Sequence, residues 1–101
     1  MAAESKLEFR CRVYVEQELK GKLVKVISTG GSGWPDRVLL IPECPVVFIE
    51  FKAPGKVLRA NQRRWMHWLS SHGFNHWVIR FYQDFLDAIR AIELEARNAK
   101  R

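Results

Sequence analysis

The stretch WPDRVLLIPECPVVFIEFKAPGK, residues 34–56, decides how this chain folds. It reads as two strands joined by a tight turn: RVLLI (37–41), a reversal at PEC, and PVVFIEFKA (45–53), closed by Pro54 and Gly55. The second strand is apolar on both faces, as a central strand is, yet Glu50 and Lys52 interrupt it. Because side chains alternate along a strand, both charges share one face with Val46 and Phe48. In a hairpin whose turn centres on residues 43–44, opposite residues sum to about 87 or 88, which brings Asp36 beside positions 50–52. Asp36, Glu50 and Lys52 are therefore expected to converge.

Two carboxylates close together in a partly buried place cost several kcal/mol of desolvation and repulsion unless a cation compensates them. A divalent ion is the natural compensation. Hard oxygen ligands from only one or two carboxylates suit Mg²⁺, which keeps waters and takes phosphate oxygens as its remaining ligands. Lys52 then stands where it can orient or deprotonate an attacking water, or steady charge developing on phosphorus. The structural alternative is a buried ion pair of Lys52 with Glu50 or Asp36.

On either side of the hairpin the pattern changes period. Leu7, Cys11, Tyr14, Val15 and Leu19 recur at helical spacing over residues 4–20, with Gly21 as the stop. KLVKVIS (22–28) is a short β-branched strand and TGGSGWP (29–35) a loop, its Gly30, Gly31 and Gly33 lacking the G-K-[ST] of a phosphate loop. A second helix is expected from Leu58 to His72, with Leu58, Trp65, Met66 and Leu69 on one side and Gly73 as its stop. HWVIRFY (76–82) is a fourth strand, Asp84 caps a third helix carrying Phe85, Ala88, Ile89 and Ile92, and a basic tail follows from about residue 97. The order α-β-β-β-α-β-α implies an α/β fold, a central mixed sheet flanked by helices, in one domain over residues 1–101.

Composition narrows the function. Seventeen Lys and Arg against 11 Asp and Glu give a net charge of +6, the footprint of a polyanion binder, with nucleic acid the default partner and a merely basic surface the bland one. The 48% hydrophobic content fills one core, while no apolar run reaches the ~20 residues of a membrane span and MAAESKLEFR has no signal-peptide core. A cytoplasmic protein with no membrane partner is expected. Cys11 and Cys44 stand outside any metal or redox spacing, so both read as reduced, packed thiols. His67, His72 and His76 share no ligand spacing and read as surface or structural residues.

PD at 35–36 and EFK at 50–52 resemble the P-D…(D/E)-x-K signature of restriction-endonuclease-like nucleases, whose core has a similar element order. ESKLE, GSGWPDRVLLIP, VVFIEFKAPGK and NQRRWMHWLSSHGF resemble, in order and over nearly the whole chain, the virus-type replication-repair nuclease (VRR-NUC) family of the PD-(D/E)XK superfamily. The resemblance implies Asp36 and Glu50 as metal ligands, the Phe51 carbonyl as another, Lys52 as the catalytic lysine, Mg²⁺ or Mn²⁺ as cofactor, and DNA as substrate. It also implies a glutamate from the first helix. Glu4 and Glu8 both qualify, and Glu8 is preferred because it lies nearer the sheet, while Glu4 suits a helix start. Gln62 matches the family's glutamine and interrupts the apolar row of the second helix, as a site residue would. A core-edge amide bonded to backbone is its structural alternative.

Arg37, Lys56, Arg59, Arg63 and Arg64 are candidate phosphate contacts, although a charge run also suits a solvated face. Trp34 is a candidate for stacking on an unpaired base. The expected activity is structure-selective endonucleolytic cleavage of branched DNA such as four-way (Holliday) junctions, as in DNA repair and recombination in bacteria or phage-infected cells. An exonuclease, a single-strand nuclease or a non-catalytic DNA-binding subunit are the alternatives. Paired cuts in a junction call for two sites related by two-fold symmetry, so a homodimer is expected. Trp65, Trp68, Phe74, Trp77, Phe81, Tyr82 and Phe85 supply more aromatic surface than one small core readily buries, with Trp68 off the buried row, unless the third helix folds over them.

Overall fold

The computed structural model describes residues 3–27 and 32–100, with side chains from Ser5 onward. Gly30, Gly31, Ser28 and the Glu4 side chain lie outside the described residues. The elements follow the expected order: α1 (Ala3–Glu18), β1 (Lys22–Lys25), β2 (Arg37–Leu40), β3 (Val47–Phe51), α2 (Ala60–Ser71), β4 (Asn75–Ile79) and α3 (Tyr82–Ala99).

Leu7, Cys11 and Val15 form the buried stripe of α1. Its end differs from the sequence reading, because Lys20 takes the left-handed conformation (φ 56°) and not Gly21. Gly21 is needed for space instead: a Cβ there would lie 2.4 Å from the Leu40 carbonyl oxygen, where the chain passes under β2. The strands are shorter than read, since Pro42 and Pro45 have no N–H to give the β2–β3 ladder. Helix α2 begins two residues later than expected, behind an extended Arg59. Phe81 and Tyr82 open α3 and do not close β4, so Asp84 sits inside the first turn, where an acid favours the helix dipole, and is not the cap. The helix also continues through Arg97 to Ala99.

The sheet order is β1-β2-β3-β4, antiparallel up to β3 and parallel between β3 and β4. Arg37 pairs with Ile49, Val38 with Phe48 and Leu39 with Val47, a register one to two positions short of the expected one. The reversal turns on Glu43, whose left-handed backbone (φ 66°) re-aims the chain. Continued by one residue, this register sets Asp36 opposite Glu50. The Asp36 carbonyl still accepts the Val26 N–H at 2.9 Å, so its backbone remains in line with the sheet.

One face of the sheet is closed. Leu39, Val47, Ile49 and Ile79 pack against Cys11 and Val15 of α1 and Phe85 and Ile89 of α3, all within one core. Each such side chain contributes about 1.5–3 kcal/mol by leaving water. Burial pushes the Cys11 thiol up to about 12, and both cysteines are free.

The opposite face is only partly covered. Helix α2 packs on β4, burying Leu69, and Trp34 sits edge-on between Phe48 (5.6 Å) and Trp65 (4.5 Å). Val24, Leu40 and Val46, on the part of this face that no described helix reaches, remain 43%, 41% and 47% exposed. Helix α3 lies on the closed face, so it covers Trp77 and Phe85 but leaves Trp68 at 46% and Phe74 at 49% exposure. The His76 ring, on the α2 side of β4, is desolvated, which lowers its pKa. Among the described residues no helix is long and apolar enough to cross a membrane.

Two left-handed glycines separate strain from packing. Gly33 (φ +88°) would bring a Cβ within 2.6 Å of Asn61 Cβ and backbone carbon in α2, whereas Gly73 (φ +84°) faces open space. Gly73→Ala is expected to cost about 1 kcal/mol of stability from backbone strain alone. Gly33→Ala should cost about 3 kcal/mol, since the loop must also back away from the helix. Urea unfolding of the two variants measures the difference, and equal losses would mean that the loop does not depend on its seat against α2.

Candidate active site

Glu50 is the penultimate residue of β3, 8% exposed, with β2 on one side and Val78 of β4 on the other. A charge so deep in a central strand needs compensation, and Glu50 is not without a partner. Lys52 follows just beyond the strand end, half-buried, its backbone N–H donating to the Ile79 carbonyl at 3.0 Å. Asp36 stands immediately before β2. The backbone of the hairpin thus carries the three residues of the sequence motif to one end of the sheet.

A fourth group comes from α1. Arg37 Nε donates to Glu8 Oε1 at 3.1 Å, and the same guanidinium lies 3.4 Å from Asp36 Oδ2 through Nη1, which also donates to the Asp36 carbonyl at 2.9 Å. Arg37 is opposite Ile49, on the α1 side of the sheet, so its stem follows the core and its head emerges at the strand end between two acids. That differs from the sequence reading, which grouped Arg37 with the surface cations. Its side chain is 16% exposed and already bonded, because a residue next to Asp36 in a strand must face the other way.

Asp36 is used unevenly. Oδ2 turns to Arg37, while Oδ1 is shielded from solvent and accepts no hydrogen bond among the described residues. A buried carboxylate oxygen without a donor costs about 1–3 kcal/mol or more, so the oxygen has an acceptor's need for a cation. The Asp36 side chain as a whole is half exposed and lines, with Ser5, Glu8, Arg37 and Phe51, a cavity of about 120 Å³. At about 30 Å³ per water this holds an ion with a few waters. The donor set, carboxylates plus the Phe51 end of β3, is the hard-oxygen kind that suits Mg²⁺ or Mn²⁺. Among the described residues no three His, Cys, Asp or Glu side chains are drawn together as a closed metal cage. Arg37 occupies the gap between Glu8 and Asp36 instead.

Gln62 is buried at 6%, within the row that Trp65 and Leu69 continue, and its Oε1 accepts the Arg59 N–H at 2.8 Å. Its carbonyl is therefore committed to the start of α2, which otherwise lacks a side-chain cap. Arg59, Arg63, Arg64 and Lys56 are all exposed around that start, with Arg63 bonded to the Leu58 carbonyl and Arg64 to Asn61 Oδ1. Arg80, which the sequence pattern left unremarked, donates to the Lys56 carbonyl at 2.8 Å and adds a cation beside the same loop. Its only signal was a charge inside the otherwise apolar run HWVIRFY. Trp34 does not project from the loop. It is half-buried, and with Trp65, Trp68, Asn61 and Arg64 it lines an open hollow of about 750 Å³.

The family model of the VRR-NUC domain matches residues 6–81, and the chain belongs to this family. It is a nuclease domain of the PD-(D/E)XK type. A solved structure described as a VRR_NUC domain is similar over 89% of this chain and 97% of its own, with a TM-score of 0.81 at 22% identity. A second, described as a VRR_NUC domain protein, is similar over 91% of this chain and 88% of its own, with a TM-score of 0.71 at 14% identity. The mixed four-stranded α/β fold is thus that of VRR-NUC structures, consistent with the restriction-endonuclease-like class. No curated protein matches the chain in sequence.

Gln62 permits a test that separates scaffold from chemistry. Gln62→Ala removes the acceptor for the Arg59 N–H and is expected to lose about 1 kcal/mol in urea unfolding. Gln62→Glu keeps the acceptor but loses the amide donor and places a charge in a buried position, so, at a temperature where its melting curve shows it folded, it should cut DNA more slowly. Full cleavage by Gln62→Glu would confine this residue to the cap.

Proposed function

We propose that this domain is a divalent-metal-dependent DNA endonuclease that selects branched DNA, four-way junctions included, and works as a symmetric homodimer. The observation that carries the reading is the Asp36 carboxylate opposite Glu50, with one oxygen buried and lacking a donor among the described residues. Asp36, Glu50, the Phe51 carbonyl and Glu8 would hold Mg²⁺ or Mn²⁺. The ion, when bound, supplies Lewis acidity to the scissile phosphate and offsets charge on the leaving oxygen.

The chain's own groups do the rest. Lys52, clamped through its backbone to β4 and on the Glu50 face, orients the attacking water and takes up its hydrogen bond as charge develops. Lys56, Arg59, Arg63 and Arg64 hold the DNA backbone. Phosphate contacts position a duplex without reading its bases, so what this basic helix start can select is the course of the strands. A binder without catalysis would gain nothing from acids at the phosphate-facing edge, since they repel the polyanion.

Pairing of two copies is supported by the uncovered sheet face. Val24, Leu40 and Val46 continue through Phe48 to Phe74 and Trp68, an apolar surface of the kind found at interface cores. A closed two-fold pair through this face would give two sites for two opposed cuts. In this reading Trp34 supports the surface from beneath by its contact with Phe48, and is not a base-stacking residue.

Labelled flaps, forks, junctions, duplexes and single strands incubated with Mg²⁺ and Mn²⁺ test the activity. Junctions should be cut fastest, and Asp36→Ala, Glu50→Ala and Lys52→Ala should each lower the rate by about a thousandfold or more while DNA binding persists. Preference for single strands or release of mononucleotides would replace the junction reading, and undiminished cutting by any of the three variants would displace the site.

Light scattering tests the assembly. The wild type should have twice the 11.8 kDa chain mass, and Leu40→Glu with Val46→Glu should give monomers that nick one strand of a junction. A wild-type monomer that makes paired cuts would exclude the dimer.

A further inference from the structure

We propose that Arg37 is an exchangeable counter-ion, standing between Glu8 and Asp36 in the metal-free protein and yielding that place when a divalent cation binds. The inference rests on the reading of Glu8 and Asp36 as metal-facing acids. It goes beyond it by assigning Arg37 a role that is neither phosphate contact nor fixed scaffold.

Three observations carry it. The guanidinium bonds acids from two different elements, Glu8 of α1 at 3.1 Å and Asp36 at 3.4 Å, residues separated by 28 positions in the chain and drawn together across the sheet end. A charge run on a solvated face does not do this. Second, the pairing satisfies only half of Asp36, leaving Oδ1 buried with no donor among the described residues. An arrangement built solely as a salt bridge would spend both oxygens on the guanidinium, since two parallel bonds are its favoured geometry. Third, Glu8, Asp36 and Arg37 all line the same small cavity with Phe51, so a cation that enters it comes up against the guanidinium already holding Glu8 Oε1 and Asp36 Oδ2.

The physics sets the direction. Without metal, the acids at this end repel one another and Arg37 relieves them. With a doubly charged ion among the same oxygens, the guanidinium becomes a like charge at close range, in a partly desolvated site where such repulsion is strong. Metal loading therefore includes the loss of the Arg37 contacts, and removing Arg37 should ease it.

The test is Mn²⁺ binding to DNA-free protein, followed by the electron paramagnetic resonance signal of free Mn²⁺. Arg37→Gln is expected to bind Mn²⁺ about tenfold or more tightly than wild type. Without metal it should melt at a lower temperature than wild type, and it should gain more on Mn²⁺ addition. Arg37→Lys, which keeps the charge, should stay close to wild type in affinity. For a readout on the unaltered protein, the Arg37 Nε–H resonance of a ¹⁵N-labelled sample should shift as Mg²⁺ is added, because its bond to Glu8 is released. Equal or weaker Mn²⁺ binding by Arg37→Gln, or an Nε–H resonance unmoved at saturation, overturns the exchange while leaving the metal site standing. A salt slope for metal-free DNA binding reduced by about one in Arg37→Gln would make the residue a phosphate contact and also overturn it. If neither protein binds Mn²⁺ saturably, and Asp36→Asn is no different, the metal reading falls and the exchange falls with it.

Discussion

Two carboxylates on adjacent strands at the end of one sheet, Asp36 and Glu50, are the constraint around which this fold is arranged. Left alone they would repel, and Glu50 would bear the further penalty of near-complete burial. Much of the surrounding structure answers that conflict. Arg37 emerges beside Asp36 because alternation sends it to the α1 face, and α1 offers Glu8 as its partner. The Asp36 backbone is tied to β1 through Val26, and the Lys52 backbone is tied to β4 through Ile79. A site that concentrates like charge stays ordered because each charged residue hangs from a hydrogen-bonded strand or a packed helix.

The order of the elements was legible because the buried helix rows recur at helical spacing and the strands are short apolar runs bounded by glycine or proline. The convergence of Asp36, Glu50 and Lys52 followed from alternation and a turn, both local properties. What escaped was set by geometry beyond the neighbouring residues. The register slipped by one to two positions because the reversal turns on a left-handed Glu43, a conformation that glutamate does not advertise. Arg37 was read as a surface cation because its partner Glu8 lies far back in the chain, and no pattern within the strand shows which helix will lie against it. Phe81 and Tyr82 have the aromatic bulk of a strand but open a helix, a case of packing overruling propensity. The burial of Gln62 was visible from the row it interrupts, whereas its bond to the Arg59 N–H depends on where the helix starts.

The two faces of the sheet are finished to different degrees. One is sealed by α1 and α3 into a core whose central members have no exposure at all. Among the described residues the other is covered over β4 and part of β3, by α2 and Trp34, and its aromatic residues touch edge to face around an open hollow. This division follows from topology. A single crossover between β3 and β4 supplies a single helix to that face, and one helix about 10–12 Å wide covers roughly two strands spaced about 4.8 Å apart. The basic helix start and the apolar sheet face are consequently neighbours, one suited to phosphates and the other to a protein surface.

The clamp between Lys52 and Ile79 has a consequence for the timing of synthesis. The motif residues lie within seventeen positions of one another, from Asp36 to Lys52, but the lysine's backbone is secured by a strand that ends 27 residues later. A nascent chain that has exposed only its hairpin holds the acids and the lysine without the parallel strand that orders them, and parallel pairing across a helix is among the slower steps in folding. The ordering of this end of the sheet therefore arrives with β4, after the whole of α2 has been made. Contact order here acts as a delay, so that the hairpin is complete before the strand that fixes its lysine.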